Sequence, residues 1–491
     1  MENNKSKTCP ERSRRIKIIF LTVIFFALFG LAQNSQAAEY YVSPTDSLAA
    51  AVSQLQPGDT LILKDGTYYQ SLNVTVSGTA GNPITIEAEH DGQVIIDGQN
   101  TRIPCEVYNK SYVILEGLVC KNSNDDVVYL HGYSTSNITL KRITAFNAGN
   151  NNNAVFSLWG GSSYLIEDCA GWGNGRKMLN VMETSHATIR RFWGRWTTYS
   201  GGGGNNTITS IYGSDDTIAE NVVLVNGNLS QNVSGFSIWA NYYNNNADRN
   251  KILGTVVYNM TGLAYSVSSA QHRIEGNILK DVVSINCTYD MANTGDASLT
   301  IENATAHTDT SGNWGFYMYD TSTYTKDGDY IINTTLKNSA FSKGTTCCTA
   351  LYVQSGDVDV GTLTNTYNNI YNFTTDYSGK ASKGIGEIDV NPSYDTNTYG
   401  EGAYLIAPVT LKGKGENGAD IGAEVLYRYQ DGVLTGTALW PWPMEERICN
   451  ETGYSVTYEN SCTNGGGLWK TLDGVYFDTT PPASPTGLMV N

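Results

Sequence analysis

A short pattern of apolar and polar residues returns ten times between Ser111 and Asn372. It consists of an apolar residue, two polar residues and, in most copies, a second apolar residue. The copies begin at Leu115, Leu140, Ile166, Ile189, Ala219, Leu253, Ile274, Ile301, Leu336 and Tyr367. Their first positions are 21 to 35 residues apart, which is typical of a β-solenoid whose loops vary in length.

Strand-forming residues flank each copy, and runs of Gly or Asn separate the copies. The sequence lacks a sustained 3.6-residue apolar period, which argues against stacked helix pairs. Each repeat is therefore predicted to be one coil of short strands, with successive coils ~4.8 Å apart. We predict an all-β fold, a right-handed parallel β-helix with ten coils over residues 111–372.

A short amphipathic helix is predicted before the first coils, over residues 46–56. It places Leu48, Val52 and Leu55 on one face behind an N-cap at Asp46, and it would cover the open end of the solenoid. The predicted segments are a signal peptide (1–38), an N-terminal cap with irregular first coils (39–110), the β-helix (111–430), a small C-terminal appendage (431–478) and a Pro-rich tail (479–491).

The N-terminal segment has the pattern of a secretory signal. Several basic residues precede a 14-residue apolar run from Ile18 to Leu31, and small residues follow at Ser35 and Ala37. The run is short for a membrane span, so we expect export and no membrane insertion. The net charge of -16 argues against nucleic acid as a general partner, because the field would repel a polyanion. We expect a monomer.

Eight cysteines remain after the predicted signal is removed, and export permits disulfides. Proximity in sequence favours Cys105 with Cys120 and Cys449 with Cys462. Cys169 takes an inward position in its coil and is expected to be a buried thiol.

Several short segments carry a resemblance to a known group. They are Gly58–Thr60, Asp65–Tyr68, Gly81–Ile86, Ile96–Gly98 and, near the end, Gly418–Ala423. They resemble segments of the secreted bacterial right-handed parallel β-helix superfamily, which is pectate-lyase-like and includes polysaccharide lyases related to alginate lyase and chondroitinase B. The resemblance implies a secreted, carbohydrate-active protein.

The second and third positions of the pattern carry charges of alternating sign. The second row reads Glu116, Lys141, Glu167, Arg190 and Glu220, and the third reads Arg142, Asp168, Arg191 and Asn221. At the ~4.8 Å spacing of neighbouring strands, these charges predict ion-pair ladders. The ladders account for Arg190 and Arg191 without a ligand.

The candidate site is the basic, Trp-containing segment 172–199. A lyase that acts on a uronic-acid polymer needs a cation for the carboxylate and a base for the neighbouring proton. Lys177 and Arg195 match these roles, and Arg195 has only Trp172 and Val225 as equivalents in adjacent coils. The predicted substrate-binding residues are Arg176, Trp172, Trp196, His186, Tyr242 and Tyr243.

Three functions stay open at this point. We expect a polysaccharide lyase acting on an acidic polysaccharide, and the alternative is a non-catalytic carbohydrate-binding, adhesin or scaffold rod. A third candidate is a glycoside hydrolase that uses the paired acids Asp125-Asp126 or Asp215-Asp216. In the relatives, calcium-binding acids precede the lysine, whereas this chain has Gly173–Gly175 there. No cofactor is assigned with certainty, and calcium remains possible.

Overall fold

The computed structural model describes most of the chain after the predicted signal. The described residues are 37–149, 152–198, 206–226, 232–240, 246–309, 314–319, 332–355, 360–455 and 458–461. The apolar run of the predicted signal peptide and the Pro-rich tail lie outside them. Within the described residues, no helix is long and apolar enough to cross a membrane.

Three parallel sheets wind around one apolar core. The first contains β1 (Glu39–Val42), β2 (Thr60–Leu63), β5 (Ile84–Ala88), β8 (Ser111–Glu116), β11 (Ser136–Lys141), β14 (Ser162–Glu167), β17 (Thr188–Arg190), β20 (Ile218–Glu220), β23 (Lys251–Leu253), β30 (Ile332–Lys337) and β32 (Val360–Thr366). The second contains β3 (Gly66–Tyr68), β6 (Val94–Asp97), β9 (Leu118–Lys121), β12 (Thr144–Phe146), β15 (Ala170–Asn174), β18 (Trp193–Thr198), β21 (Val223–Asn226), β24 (Val256–Tyr258), β26 (Val283–Ile285) and β28 (Thr305–Thr308).

The third sheet follows the second along the chain in most coils. It contains β4 (Leu72–Val74), β7 (Cys105–Tyr108), β10 (Val128–His131), β13 (Ala154–Trp159), β16 (Lys177–Met182), β19 (Asn206–Tyr212), β22 (Val233–Trp239) and β29 (Trp314–Tyr319). Four long strands pass from one sheet to the next: β25 (Leu263–Lys280), β27 (Tyr289–Glu302), β31 (Ala340–Val353) and β33 (Asn369–Gly379). The predicted parallel β-helix is confirmed.

A left-handed residue turns the chain from the first sheet to the second in every coil of the repeat. These residues are Gly117, Arg142, Asp168, Arg191, Asn221, Gly254, Asp281, Asn303, Asn338 and Tyr367, with φ between 49° and 77°. Each is two places after an inward residue of the first sheet, so the polar pair of the sequence pattern is the bend itself. A residue at positive φ is costly for most side chains, which explains the frequency of Gly, Asn and Asp here.

The strand register corrects three of the ten predicted anchors. Ala219 pairs with Ile252 and not Leu253, Ile252 pairs with Leu279, and Leu336 pairs with Asn365. The predicted anchors Leu253, Ile274 and Tyr367 are therefore wrong. The first sheet still supplies ten strands to the repeat, and their inward residues form one stacked column.

The predicted capping helix is confirmed as α1 (Leu48–Gln54). Its residues Leu48 and Val52 are buried together with Leu55. The N-cap is Ser47, whose hydroxyl accepts from the Ala50 amide at 3.2 Å, and not Asp46 as predicted. Asp46 instead accepts from the Ser43 amide at 2.8 Å.

Residues 394–455, here called the strap, lie along the outer face of the second sheet. They contain α2 (Thr396–Tyr399), three 3-10 turns (Gly400–Leu405, Val409–Leu411, Glu416–Gly418), the hairpin β34 (Tyr427–Gln430) and β35 (Val433–Ala438), and α3 (Glu445–Thr452). β36 (Tyr454–Ser455) ends the strap and pairs with β37 (Tyr458–Ser461). The strap thus includes the first part of the predicted appendage.

The strap runs back toward the N-terminal coils. The Ala423 amide donates to Thr305 Oγ1 at 2.8 Å, and the Tyr429 amide donates to Asn221 Oδ1 at 2.6 Å. Arg447 reaches Thr144 Oγ1 at 2.8 Å. Apolar strap residues also pack against the outward side chains of the second sheet, so this face is covered.

The predicted ion-pair ladders are present at the bend. Arg190 lies between Glu167, at 3.1 Å, and Glu220, at 2.5 Å. Arg191 contacts Asp168 at 2.6 Å and Glu167 at 2.8 Å. Burial would raise the pKa of Glu167, but hydrogen bonds from both arginines bring that pKa below its usual value. These two arginines are therefore part of the framework.

The cysteines differ from the predicted pairing in one place. Cys105 and Cys120 are buried thiols and are not joined, although a hydrogen bond between them and burial raise the pKa of Cys120. Cys347 and Cys348 form a disulfide between adjacent residues. Cys449 is disulfide-bonded, and its predicted partner Cys462 lies outside the described residues. Cys169 is a buried thiol, as predicted.

Candidate functional site

Lys177 opens strand β16 and lies on the outer face of the third sheet. Its ammonium donates to Asn180 Oδ1 at 2.9 Å and lies 5.6 Å from the centre of the Tyr212 ring. Burial and, to a smaller extent, the Arg176 charge lower the pKa of Lys177 to about 7, although Asp126 opposes both effects. A lysine with this pKa is partly neutral at physiological pH, which lets it accept a proton.

Asp126 faces the same groove from the loop between β9 and β10. Its Oδ1 accepts from the Ala154 amide at 2.5 Å. Burial, together with the charge of Asp125, raises the pKa of Asp126 to about 6, although hydrogen bonds with Ala154 and Ser157 and the charge of Lys177 oppose the rise. The groove therefore holds a lysine and an aspartate whose pKa values have moved toward each other.

Arg176 is the second cation of the groove. Its guanidinium donates to Asn152 Oδ1, and its amide donates to the Asn153 carbonyl at 2.8 Å. It directly precedes Lys177, so the two positive charges lie together at the start of β16. This pair replaces the predicted pairing of Lys177 with Arg195.

The groove encloses about 640 Å³ and follows the helix axis across several coils. Two rows of outward side chains, in register from coil to coil, line the groove. The side chains of the first row carry mainly hydroxyl and amide groups: Tyr129, Ser157, Asn180, Ser210 and Ser237. A second, here called the aromatic row, contains Tyr108, His131, Trp159, Met182, Tyr212 and Trp239. Tyr108 and Tyr129 both stack on His131, and Trp159 is 43% exposed. Rigid ring faces beside hydrogen-bonding groups suit sugar rings.

Arg195 and Trp172 lie elsewhere, on the outer face of the second sheet. They are neighbours in register, as predicted, and Val225 is the next equivalent. The strap covers them: Arg195 is 5% exposed, and its guanidinium lies 3.6 Å from the centre of the Tyr454 ring. Trp172 stacks on Phe146 at 4.8 Å. The structure thus corrects the prediction that they line a groove.

Trp196 points into the core, so it offers no face to a ligand. It is 1% exposed, and its indole nitrogen donates to the Gly175 carbonyl at 2.6 Å. Strand alternation explains the difference from Trp172, because Trp196 is one residue after the outward Arg195. This prediction is also corrected.

His186 lies in the turn that follows β16, and Tyr242 and Tyr243 lie outside the described residues. The His186 side chain is exposed and its Nε2 is 3.9 Å from Asp216. Asp216 pairs with Arg249 at 2.7 Å, and Asp215 accepts from the Asp248 amide at 2.8 Å. This second aspartate pair therefore supports the turns.

The aromatic row was missed in the sequence, although it leaves a signal there. Trp159, Met182 and Tyr212 each stand seven residues before the inward anchor of the next first-sheet strand. A search at that offset in successive coils would have aligned them. In later coils the loops are longer, so the distance from the row residue to the next anchor exceeds seven residues. Trp239 would therefore not be found by this search.

The acids of the groove do not fit calcium. Asp126 Oδ1 already accepts a backbone amide, and Asp125 Oδ1 accepts the Asp126 amide at 2.9 Å and the Asn153 side chain. Two cations lie in the same groove, whereas calcium prefers a cage of free oxygen ligands. Among the described residues, the one group with metal-ligand spacing is Asp65, Glu89 and His90, on the first coils.

Comparison with known proteins agrees with the fold. Residues 42–158 match the family model of chondroitinase B. An uncharacterized protein, YwoF of Bacillus subtilis strain 168, is 29% identical over 125 residues, which are 23% of this chain and 26% of that protein. The match thus spans about a quarter of that relative.

Two solved structures illustrate the structural comparison. An alginate lyase from a Paenibacillus species is 14% identical, covering 72% of this chain and 98% of its own, with a TM-score of 0.33. A lacto-N-biosidase from Eubacterium ramulus is 12% identical, covering 77% of this chain and 70% of its own, with a TM-score of 0.42. The chain is a parallel β-helix protein, as predicted. Its opening coils are similar to those of chondroitinase B.

Proposed function

We propose that the protein is a polysaccharide lyase that cleaves an acidic, uronic-acid-containing polysaccharide by β-elimination in the Lys177 groove. The observation that carries this is a lysine with a pKa of about 7 beside an arginine, in a groove lined by aromatic rings. The chondroitinase B match supports it, although Lys177 lies 19 residues beyond the matched segment.

Arg176 and Lys177 act in different steps of the reaction. The Arg176 guanidinium binds the uronic carboxylate, which makes the proton on the adjacent carbon more acidic. The neutral Lys177 amine removes that proton, the electron pair forms a carbon–carbon double bond, and the bond to the glycosidic oxygen breaks. The leaving oxygen takes a proton from solvent, so the products are a new chain end and an unsaturated sugar.

Asp126 favours a second candidate, hydrolysis by acid and base. A carboxyl group with a pKa of about 6 could protonate a leaving oxygen. Such a hydrolase needs a second carboxylate across the bond, but Asp125 Oδ1 is occupied within its own loop. A non-catalytic binding protein would need only the aromatic row.

The test is a panel of alginate, pectate, chondroitin and heparin-type polymers and neutral-sugar copolymers of uronic acid, with and without calcium. A lyase yields unsaturated ends that absorb ultraviolet light. New reducing ends without that absorbance would show hydrolysis, and binding without either product would show a non-catalytic protein. Secretion remains part of the proposal and rests on residues 1–38.

The rate of β-elimination is expected to rise with pH through about 7, because only the neutral Lys177 amine can accept a proton. Below the pKa of the lysine, kcat/KM should fall about tenfold per pH unit, and above it should level off. The measurement is kcat/KM from about pH 5 to pH 9 at constant ionic strength. A rate that falls as the pH rises through 7 would exclude Lys177 as the base.

A further inference from the structure

Among the described residues that line the groove, the lysine and arginine charges are confined to one place. Arg176 and Lys177 are adjacent in sequence, and both are in the coil of β16. In the other coils of the aromatic row, Tyr108, Trp159, Tyr212 and Trp239 are uncharged, and His131 is paired with Glu106. A single carboxylate can therefore be neutralised in this coil, but carboxylates bound in neighbouring coils meet no described lysine or arginine of the groove lining.

Acidic side chains lie beside the groove in the coil of β16 and in the coils before it. Glu106 pairs with His131 at 2.8 Å. Glu183 accepts from the Tyr133 hydroxyl at 2.6 Å and from the Trp159 indole at 3.4 Å. Asp125 and Asp126 add to this negative charge. Glu183 is thus placed where it orients the exposed ring of Trp159 and repels a second anion.

The later coils of the groove carry hydroxyl groups and rings. Ser210, Ser237, Tyr212 and Trp239 line it there. Hydroxyl and aromatic side chains bind neutral sugars well, whereas a carboxylate removed from water without a cation is costly.

We infer that the substrate is a heteropolysaccharide in which a single uronic acid is flanked by uncharged sugars, and not a polymer with a carboxylate or sulfate on every sugar. The inference rests on the proposed function, whose site it specifies. The physical reason is the spacing of charge. Coils are ~4.8 Å apart, so a polymer charged on every sugar would place anions beside Glu106 or Glu183, and like charges in contact cost several kcal/mol.

The test compares two polymers of equal length. One is a homopolyuronate, and the other is a copolymer with one uronic acid per repeat of neutral sugars. We expect kcat/KM, measured from the unsaturated product at low salt, to favour the copolymer at least about tenfold. Added salt should reduce the preference because it screens the repulsion. Equal or faster turnover of the homopolyuronate at low salt would overturn the inference and leave the lyase proposal intact.

A variant without the negative charge of Glu183 distinguishes charge repulsion of the polymer from a steric effect of the groove. Glu183→Gln keeps an oxygen acceptor for Tyr133 and Trp159 but removes the negative charge. It should raise turnover of the homopolyuronate relative to the copolymer, whereas Glu116→Gln, on the first sheet, should leave the ratio unchanged. An unchanged ratio in Glu183→Gln would contradict the assigned role of Glu183.

If neither polymer yields an unsaturated product, a binding measurement tests the inference instead. Calorimetric titration of the wild-type protein with oligosaccharides of each polymer should then show tighter binding of the copolymer. That result would support the substrate class while refuting β-elimination. Binding of neither, or tighter binding of the homopolyuronate, would overturn the inference.

Discussion

A Lys177→Met variant is expected to lose β-elimination activity by about 10²- to 10⁴-fold, the usual contribution of a positioned general base. Methionine keeps most of the side-chain length beside Tyr212 but cannot accept a proton. Burial already disfavours the charged ammonium, as its pKa of about 7 shows, so removing it should not destabilise the fold. The measurement is kcat under saturating substrate, together with the melting temperature.

The matched control is Lys141→Met, because Lys141 is on the first sheet and contacts Glu116 at 3.7 Å. It should retain full activity and melt within a few degrees of the wild-type protein. If Lys177→Met kept wild-type turnover while remaining folded, the groove would not be the catalytic site.

An Arg190→Met variant is expected to lower the free energy of unfolding by about 3 to 5 kcal/mol, the cost of leaving a buried charge without its partner. Glu220, at 2.5 Å, is 0% exposed. The same guanidinium contacts Asp431 of the strap at 2.5 Å. The change should therefore destabilise both the coil and the strap, as measured by denaturant unfolding.

Arg249→Met is the matched control, because Arg249 also pairs with an aspartate, Asp216, but its side chain is 56% exposed. Exposed ion pairs contribute about 0 to 1 kcal/mol, so this variant should unfold close to the wild-type midpoint. If both variants lost the same free energy of unfolding, burial would not determine how much these ion pairs contribute to stability.

The coils could be predicted from the sequence wherever a single apolar residue stood at the anchor position. Through Ala219, one apolar anchor precedes each bend, and every anchor was assigned correctly. At Ile252 and Leu253 two apolar residues are adjacent, and a shift of one residue exchanges the inward and outward faces. At Asn365 the inward residue is polar, where it donates to Glu387 Oε2 at 2.6 Å, so hydrophobicity could not identify it.

The candidate site was predicted less well than the fold. Lys177 and Arg176 were found by charge, and the register neighbours of Arg195 were predicted correctly. The covering of Arg195 could not be predicted from neighbouring coils, because Tyr454 is 259 residues later in the sequence. Local periodicity shows which residues face outward, but it does not show which outward face another segment covers.

The strap sets the order in which this chain can fold. Each coil contacts neighbours a few tens of residues away, so coils can form as the nascent chain lengthens. Arg447, in contrast, donates to Asp91, 356 positions earlier, and closing so long a loop costs entropy before the contact forms. The apolar outer face of the second sheet therefore stays uncovered until the strap has been synthesised, and docking of the strap completes folding.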